Sequence, residues 1–156
     1  MTSSPARHSS KIALLLPLLL LIGCQEKRVS SLPTVTMQLG SKTFTLEVAK
    51  TIPSRETGLM RRDSMPVDRG MIFVFARAEP LGFYMRNTRI PLDIVYVDAD
   101  GKVISIKQMK PYDESTTPSD GPAKWAIELN EGVAAQAGIK VGDKLQIPQS
   151  ASSADQ

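Results

Sequence analysis

The chain has one histidine, His8, and one cysteine, Cys24, in 156 residues. Both fall at the N-terminus, so the sequence from Gln25 onward holds no imidazole and no free thiol. Those two absences exclude Ser-His-Asp and Cys-His nucleophilic catalysis, histidine general-base chemistry and His/Cys zinc sites from that region. A lone cysteine also forbids an intrachain disulfide, so packing alone must hold the domain together. Long basic runs are missing too, which argues against nucleic acid as a partner. No metal or cofactor is expected, and catalysis is judged less plausible than binding.

What is present begins with Arg7 and Lys11, followed by an eleven-residue apolar run from Ile12 to Ile22. That run is too short to span a bilayer but fits the apolar core of a secretory signal. It closes on Leu21-Ile22-Gly23-Cys24, which resembles the bacterial lipobox, where a cysteine is lipidated and becomes the first residue of the mature chain. The expectation is a signal over residues 1–23, removed on export, with Cys24 carrying lipid. Each buried methylene adds roughly 0.8 kcal/mol, so two or more acyl chains hold such a protein on a membrane surface without spanning it. Gln25 in place of Asp resembles the sorting pattern for the outer membrane, facing the periplasm. Taking Arg7 and Lys11 from the 19 basic residues leaves 17 against 16 acidic ones, so the remaining chain is close to neutral.

Residues 24–33 read as a tether, and a single domain is expected over 34–148 with a disordered tail at 149–156. Strands are expected at Thr34 to Leu39 and Thr43 to Val48, the second alternating Phe44, Leu46 and Val48 with polar residues. Pro53 to Met60 reads as a short helix, whose Gly58 implies either close packing or a helix end. Met71 to Phe75 has no polar face and reads as a central strand covered on both sides. Leu81 to Met85 reads as the next strand. Leu92 to Val97 and Val103 to Met109 form a hairpin through Asp98-Ala99-Asp100-Gly101. Lys110 to Pro122 is polar and reads as a long irregular connection. Trp125 to Leu129 is expected as a strand, Gly132 to Ala137 as a helical turn and Asp143 to Ile147 as a last strand. The pattern predicts an α+β domain, mainly β, with a curled antiparallel or mixed, barrel-like sheet and two short helices.

One polar stretch stands out. Arg86, Asn87, Thr88 and Arg89 lie between two apolar runs, just before Pro91 and Asp93. Asp93 opens an apolar strand face with Val95 and Val97, where an unpaired charge is expensive. The upstream arginines and amide are its expected partners, in a turn closed by Asn87 or Thr88. Alternatively Arg86, Asn87, Thr88 and Asp93 line the mouth of a pocket. Arg55 and Arg62 flank the short helix as solvated charges, or else turn inward with Arg86 to make an anion site. Met60, Met65, Met71 and Met85 are expected in the core or on the wall of that site.

These segments resemble a family. R-E-T-G-L-M-R-R at Arg55 to Arg62, D-R-G-M-I-F-V-F at Asp68 to Phe75 and Y-M-R-N-T-R-I-P-L-D-I at Tyr84 to Ile94 are similar to domain-of-unknown-function family 192. V-D-A-D-G-K-V-I, W-A-I-E-L and G-I-K-V-G-D-K-L follow in the family's order. Where the family usually has Trp-Met-Lys-Asn-Thr, this chain has Tyr84-Met85-Arg86-Asn87-Thr88, which keeps the ring and the charge. The resemblance implies a small, mainly β domain, often exported, and no established activity.

Three functions compete. The first is a lipid-anchored envelope module that binds a small polar or anionic ligand or an envelope protein, with Arg55, Arg62, Arg86, Asn87, Thr88 and Asp93 as candidate contacts. The second is a hydrolase or lyase acting on envelope saccharide through carboxylates, Asp93 with Glu128 or Asp143, although Glu128 is expected in solvent. The third is a PDZ-like peptide binder, suggested by Leu81-Gly82-Phe83 and the turn from Gly132 to Asp143.

Overall fold

A computed structural model describes residues 1–2 and 32–154. The apolar run, the lipobox with Cys24 and most of the expected tether lie outside the described residues. Six strands form one mixed sheet: β1 Thr34–Leu39, β2 Lys42–Ala49, β3 Arg69–Phe83, β4 Leu92–Val97, β5 Val103–Met109 and β6 Thr117–Asn130, in the order β1-β2-β3-β6-β4-β5. Only the β2–β3 pair is parallel. The connection between those two strands contains α1, Ile52–Thr57; α2, Val133–Gln136, follows β6. The domain is α+β and mainly β, as expected, but the sheet is open, with β1 and β5 at its two ends rather than paired into a barrel.

Hydrophobic alternation explains the layering. Val35, Met37 and Leu39 of β1 are buried while Thr34, Thr36 and Gln38 are exposed, the period-two signature of a half-covered strand. The central strands are covered on both faces. Ile72, Val74, Val95, Val97, Ile127 and Leu129 join β1, β2 and α2 in one cluster. Met71, Phe73, Ile94, Tyr96 and Ala126 point the other way into a second cluster, with Leu59 and Met85. That second face is the one α1 and its following turn lie against. The unpatterned apolar run at Met71 to Phe75 is thus a two-sided strand.

Helix α1 forms because both ends are specified. Thr51 caps it through a reciprocal capping box with Ser54, and Pro53 occupies the first turn, where a missing N–H costs nothing. Gly58 ends it at φ 47°, and a Cβ there would lie 3.3 Å from Phe73 Cζ. Gly58 therefore both terminates the helix and lets it settle on an aromatic ring.

Four expectations need correction. The two strands expected at Met71 to Phe75 and Leu81 to Met85 are one strand, β3, whose register shifts between Val74 and Glu79 and again between Pro80 and Gly82. Irregular pairing absorbs the residues between the two expected strands. The second part of the expected irregular segment before Trp125 belongs to β6, which starts at Thr117 with Pro118 opposite Gly82 and Pro122 opposite Pro80. Those prolines are tolerated because β4 pairs with β6 only from Trp125 onward, leaving the earlier edge without a ladder to break. The strand expected at Asp143 to Ile147 is reduced to a bridge between Lys102 and Lys144. The tail, expected to be disordered from Gln149, instead makes a 3-10 turn over Gln149–Ala151. Ala151 is buried there and its carbonyl accepts a 2.7 Å hydrogen bond from Trp125 Nε1.

Candidate functional site

Alternation along β6 decides where its one buried acid goes. Trp125, Ile127 and Leu129 take the first cluster, so Glu128 turns with Ala126 to the second face. Its neighbours across the ladder are Met71 on β3 and Ile94 on β4. The sequence reading places Glu128 in solvent, but it is only 5% exposed, because an alternating strand between two covered faces has no outward side. Gly70 helps to place it: a Cβ on Gly70 would lie 2.4 Å from the Glu128 carbonyl oxygen, so glycine lets β3 and β6 approach beside the acid.

Among the described residues, no hydrogen bond reaches the Glu128 carboxyl, and it is not sealed off, because it lines a cleft. Burial pushes its pKa up to about 8, with the positive charge of Arg62 opposing part of that rise. At neutral pH it is therefore mainly a carboxylic acid able to donate a hydrogen bond. Nearby Tyr96 is also buried, which raises its phenol above the ordinary range with help from the Glu128 charge; its hydroxyl donates to the Thr117 carbonyl.

The cleft holds about 250 Å³ between α1 and the second face of the sheet. Glu128, Thr88, Phe73, Phe83, Leu59 and Arg55 are among its walls. Phe73 and Phe83 meet edge to face at 4.9 Å, and Phe83 touches Tyr96 at 5.9 Å in the same manner. A wider groove of about 690 Å³ adjoins the cleft; Glu56, Thr57, Met60 and Tyr84 border both, and Arg61, Arg86 and Asn87 border the groove alone.

The candidate residues chosen from sequence divide between cleft, groove and scaffold. Arg55 lies on the cleft wall, stacked 5.0 Å from the Phe75 ring, with Nη1 donating to the carbonyls of Lys50 and Val74. Arg62 is taken by Glu47 in a two-pronged ion pair of 2.5 and 2.8 Å, which raises its pKa. Arg86 stacks on Tyr84 at 5.2 Å. The three guanidiniums thus do not converge on one anion. Thr88 is buried and lines the cleft, and its N–H closes a turn onto Met85 through Asn87 at φ 57°. Asn87 tolerates that left-handed backbone better than most residues.

Asp93 leaves the site altogether. It faces the first cluster, and its carboxylate accepts the N–H of Ala134 at 2.9 Å, capping α2, whose own N-cap is Gly132. The expected pairing of Asp93 with Arg86, Asn87 or Arg89 does not occur, and Arg89 pairs with Asp63 instead. Sequence distance suggested the partner, but the strand's alternation directs the acid to the far side. Met71 and Met85 are core, whereas Met60 borders the cleft. The PDZ-like reading also loses its geometry: Leu81-Gly82-Phe83 lies inside β3, and α2 packs against β4 and β6, which pair with each other from Trp125 to Asn130 and leave no free edge there for a peptide. Among the described residues, no group of three or more acidic, histidine or cysteine side chains could hold a metal ion.

Fold and cleft together define a small α+β domain with an aromatic-walled cleft beside a buried acid that has no hydrogen bond among the described residues. The chain belongs to domain-of-unknown-function family 192 (DUF192, uncharacterized ACR), whose pattern it matches over residues 34–147. It is similar to a protein of unknown function from Novosphingobium aromaticivorans, at 39% identity over 77% of this chain and 89% of that one, with a TM-score of 0.70. It is also similar to a candidate transcription regulator from Sinorhizobium meliloti, at 33% identity over 72% of this chain and 91% of that one, with a TM-score of 0.67. No curated protein is detectably similar in sequence.

Proposed function

We propose that this chain is an exported, lipid-anchored module of the bacterial envelope that binds a small polar or anionic ligand in the cleft beside Glu128. Export and anchoring rest on the charged, apolar and lipobox segments ending at Cys24. The observation that carries the binding reading is Glu128, 5% exposed, without a hydrogen-bond partner among the described residues and lining a cleft with aromatic walls. A buried acid left without a partner is costly in the free protein, and a ligand oxygen that accepts a hydrogen bond from it recovers that energy. Arg55 on the same wall favours an anion.

Melting curves recorded with a panel of small carboxylates, phosphates and glycan fragments test the binding, with a Glu128→Leu variant as control. A ligand that stabilises the native chain and not the variant supports the reading; flat curves throughout remove it. Membrane attachment is tested separately by Cys24→Ser, which should abolish acylation.

A second reading turns the same cleft into a hydrolase site for envelope saccharide. Glu56 borders the cleft on its exposed side, so one buried and one exposed carboxylate face the same space. Asp93 and Asp143 have no part in it. Release of labelled saccharide fragments, lost in both Glu128→Gln and Glu56→Gln, would distinguish catalysis from binding.

A further inference from the structure

The groove extends the cleft, and its chemistry differs from that of the floor. The inner part is small, aromatic and ends at two groups that make directional hydrogen bonds, the Glu128 carboxyl and the Thr88 hydroxyl, whose one hydrogen bond among the described residues is a long 3.4 Å donation to the Arg86 carbonyl. The outer part is wider and bordered by Arg61 and Arg86. Among the described residues neither arginine has an ion pair: Arg86 reaches only the Tyr84 hydroxyl, at 3.3 Å, and Arg61 leaves its guanidinium in solvent. The Arg61 N–H donates to the Asn87 carbonyl at 2.8 Å, and that bond joins the two rims of the groove. Glu56 also borders it, so two cations face one anion across an open space.

We propose that cleft and groove form one two-part site for an aromatic acid, its ring beside Phe73 and Phe83, a distal oxygen at Glu128 and Thr88, and its carboxylate at Arg61 and Arg86. This rests on the reading of the cleft as a ligand site and adds the class of ligand. The volume of the inner part suits a single ring better than a long acyl chain, and edge-to-face aromatic walls favour a flat guest. The acid form of Glu128 donates to an uncharged hydroxyl or carbonyl oxygen, while a guanidinium fork takes a carboxylate in two-pronged fashion. The two ends of the ligand are thereby distinguished by the two ends of the site.

Three probes separate these contributions: 3-(4-hydroxyphenyl)propionate, 3-phenylpropionate without the distal oxygen, and 3-(4-hydroxyphenyl)propan-1-ol without the acid. Calorimetric titration uses the full acylated chain held in lipid nanodiscs, with empty discs as the blank. The hydroxylated acid should bind at least tenfold more tightly than either partial analogue. The double variant Arg61→Ala/Arg86→Ala should weaken the acid about tenfold and leave the alcohol unchanged, and Thr88→Val should weaken both hydroxylated probes. Equal binding of acid and alcohol, or indifference to the arginine variants, overturns the two-part assignment while the cleft remains a ligand site. No heat from any probe overturns the aromatic-acid class; the underlying ligand-site reading falls only if the broader melting panel is flat as well.

Discussion

Asp93 and Glu128 sit on neighbouring strands yet face opposite sides of the sheet. Asp93 lies across from Leu129, and Glu128 lies across from Ile94, so a one-residue offset sends one acid to each cluster. Asp93 finds a backbone N–H and becomes a cap, while Glu128 finds none and is left facing a cleft. The same residue chemistry therefore gives a structural acid on one face and a chemically available one on the other. The two cannot act as a catalytic pair, since the sheet lies between them.

The available acid should make stability depend on pH. The ordinary value for Glu128 is 4.5 and burial moves it to about 8, so between those limits the folded chain holds a proton that the unfolded chain has released. Stability is unaffected by this group below the unfolded value and declines as pH rises towards and through about 8. The loss is on the order of a few kcal/mol at most. Thermal denaturation from pH 5 to 9 should show that decline in the native chain and a much flatter profile in Glu128→Gln, which stays neutral and should be the more stable form at pH 9. Parallel profiles for the two proteins would show that the acid ionises without cost.

Asp93 should behave differently. Asp93→Ala removes the acceptor for a buried Ala134 N–H and should cost about 1–3 kcal/mol. Asp93→Asn keeps an acceptor oxygen and should cost less. Neither variant should alter binding in the cleft. A titration of the melting-panel ligand against both variants checks this, and a selective loss of affinity in Asp93→Asn at unchanged stability would place the acid back in the site.

Much of this arrangement was legible in the residues. Phe44, Leu46 and Val48, Pro53 in the first turn of the helix, and the turn before Gly101 carry local signals of period, helix start and turn, and they fold as those signals read. The failures have a common cause. Glu128 alternates with Trp125, Ile127 and Leu129, which reads as polar-out only if the second face is open; Leu59 and Met85, distant in sequence, cover it. Local sequence offers Asp93 partners only a few positions upstream, whereas Ala134 is 41 positions away. Pro118 and Pro122 read as loop because their tolerance depends on where β4 stops. The site itself arises from α1 meeting the far ends of β3 and β6, a tertiary fact. An isolated glutamate in an otherwise apolar stretch was the only local sign of it.

Arg62 links the scaffold to the site. Its ion pair with Glu47 is partly buried on both sides, and its charge also lowers the pKa of Glu128. Arg62→Met should cost about 1–3 kcal/mol, less than a sealed pair because both groups retain some solvent. It should also push Glu128 above its native value of about 8, since the opposing cation is gone. Carbon-detected NMR titration of the Glu128 carboxyl reads that shift directly. An unchanged midpoint would mean that Arg62 acts only on Glu47.

The C-terminal turn should be part of the cooperative fold although it contributes no strand. Trp125 is 5% exposed, and its indole N–H has one acceptor, the carbonyl of Ala151, itself buried. Removing residues 149–156 strips that acceptor and uncovers apolar surface of the first cluster, so two penalties add: an unsatisfied indole N–H and exposed side chains. The deletion should lower stability by about 1–3 kcal/mol and shift tryptophan emission to the red. The hydrogen-bond share can be isolated, because Trp125→Phe has no N–H to leave unpaired. If the bond contributes, the deletion costs less in the Trp125→Phe background than in the native chain, and the difference is the coupling between the two. Equal costs in both backgrounds would assign the effect of the tail to covering the core alone.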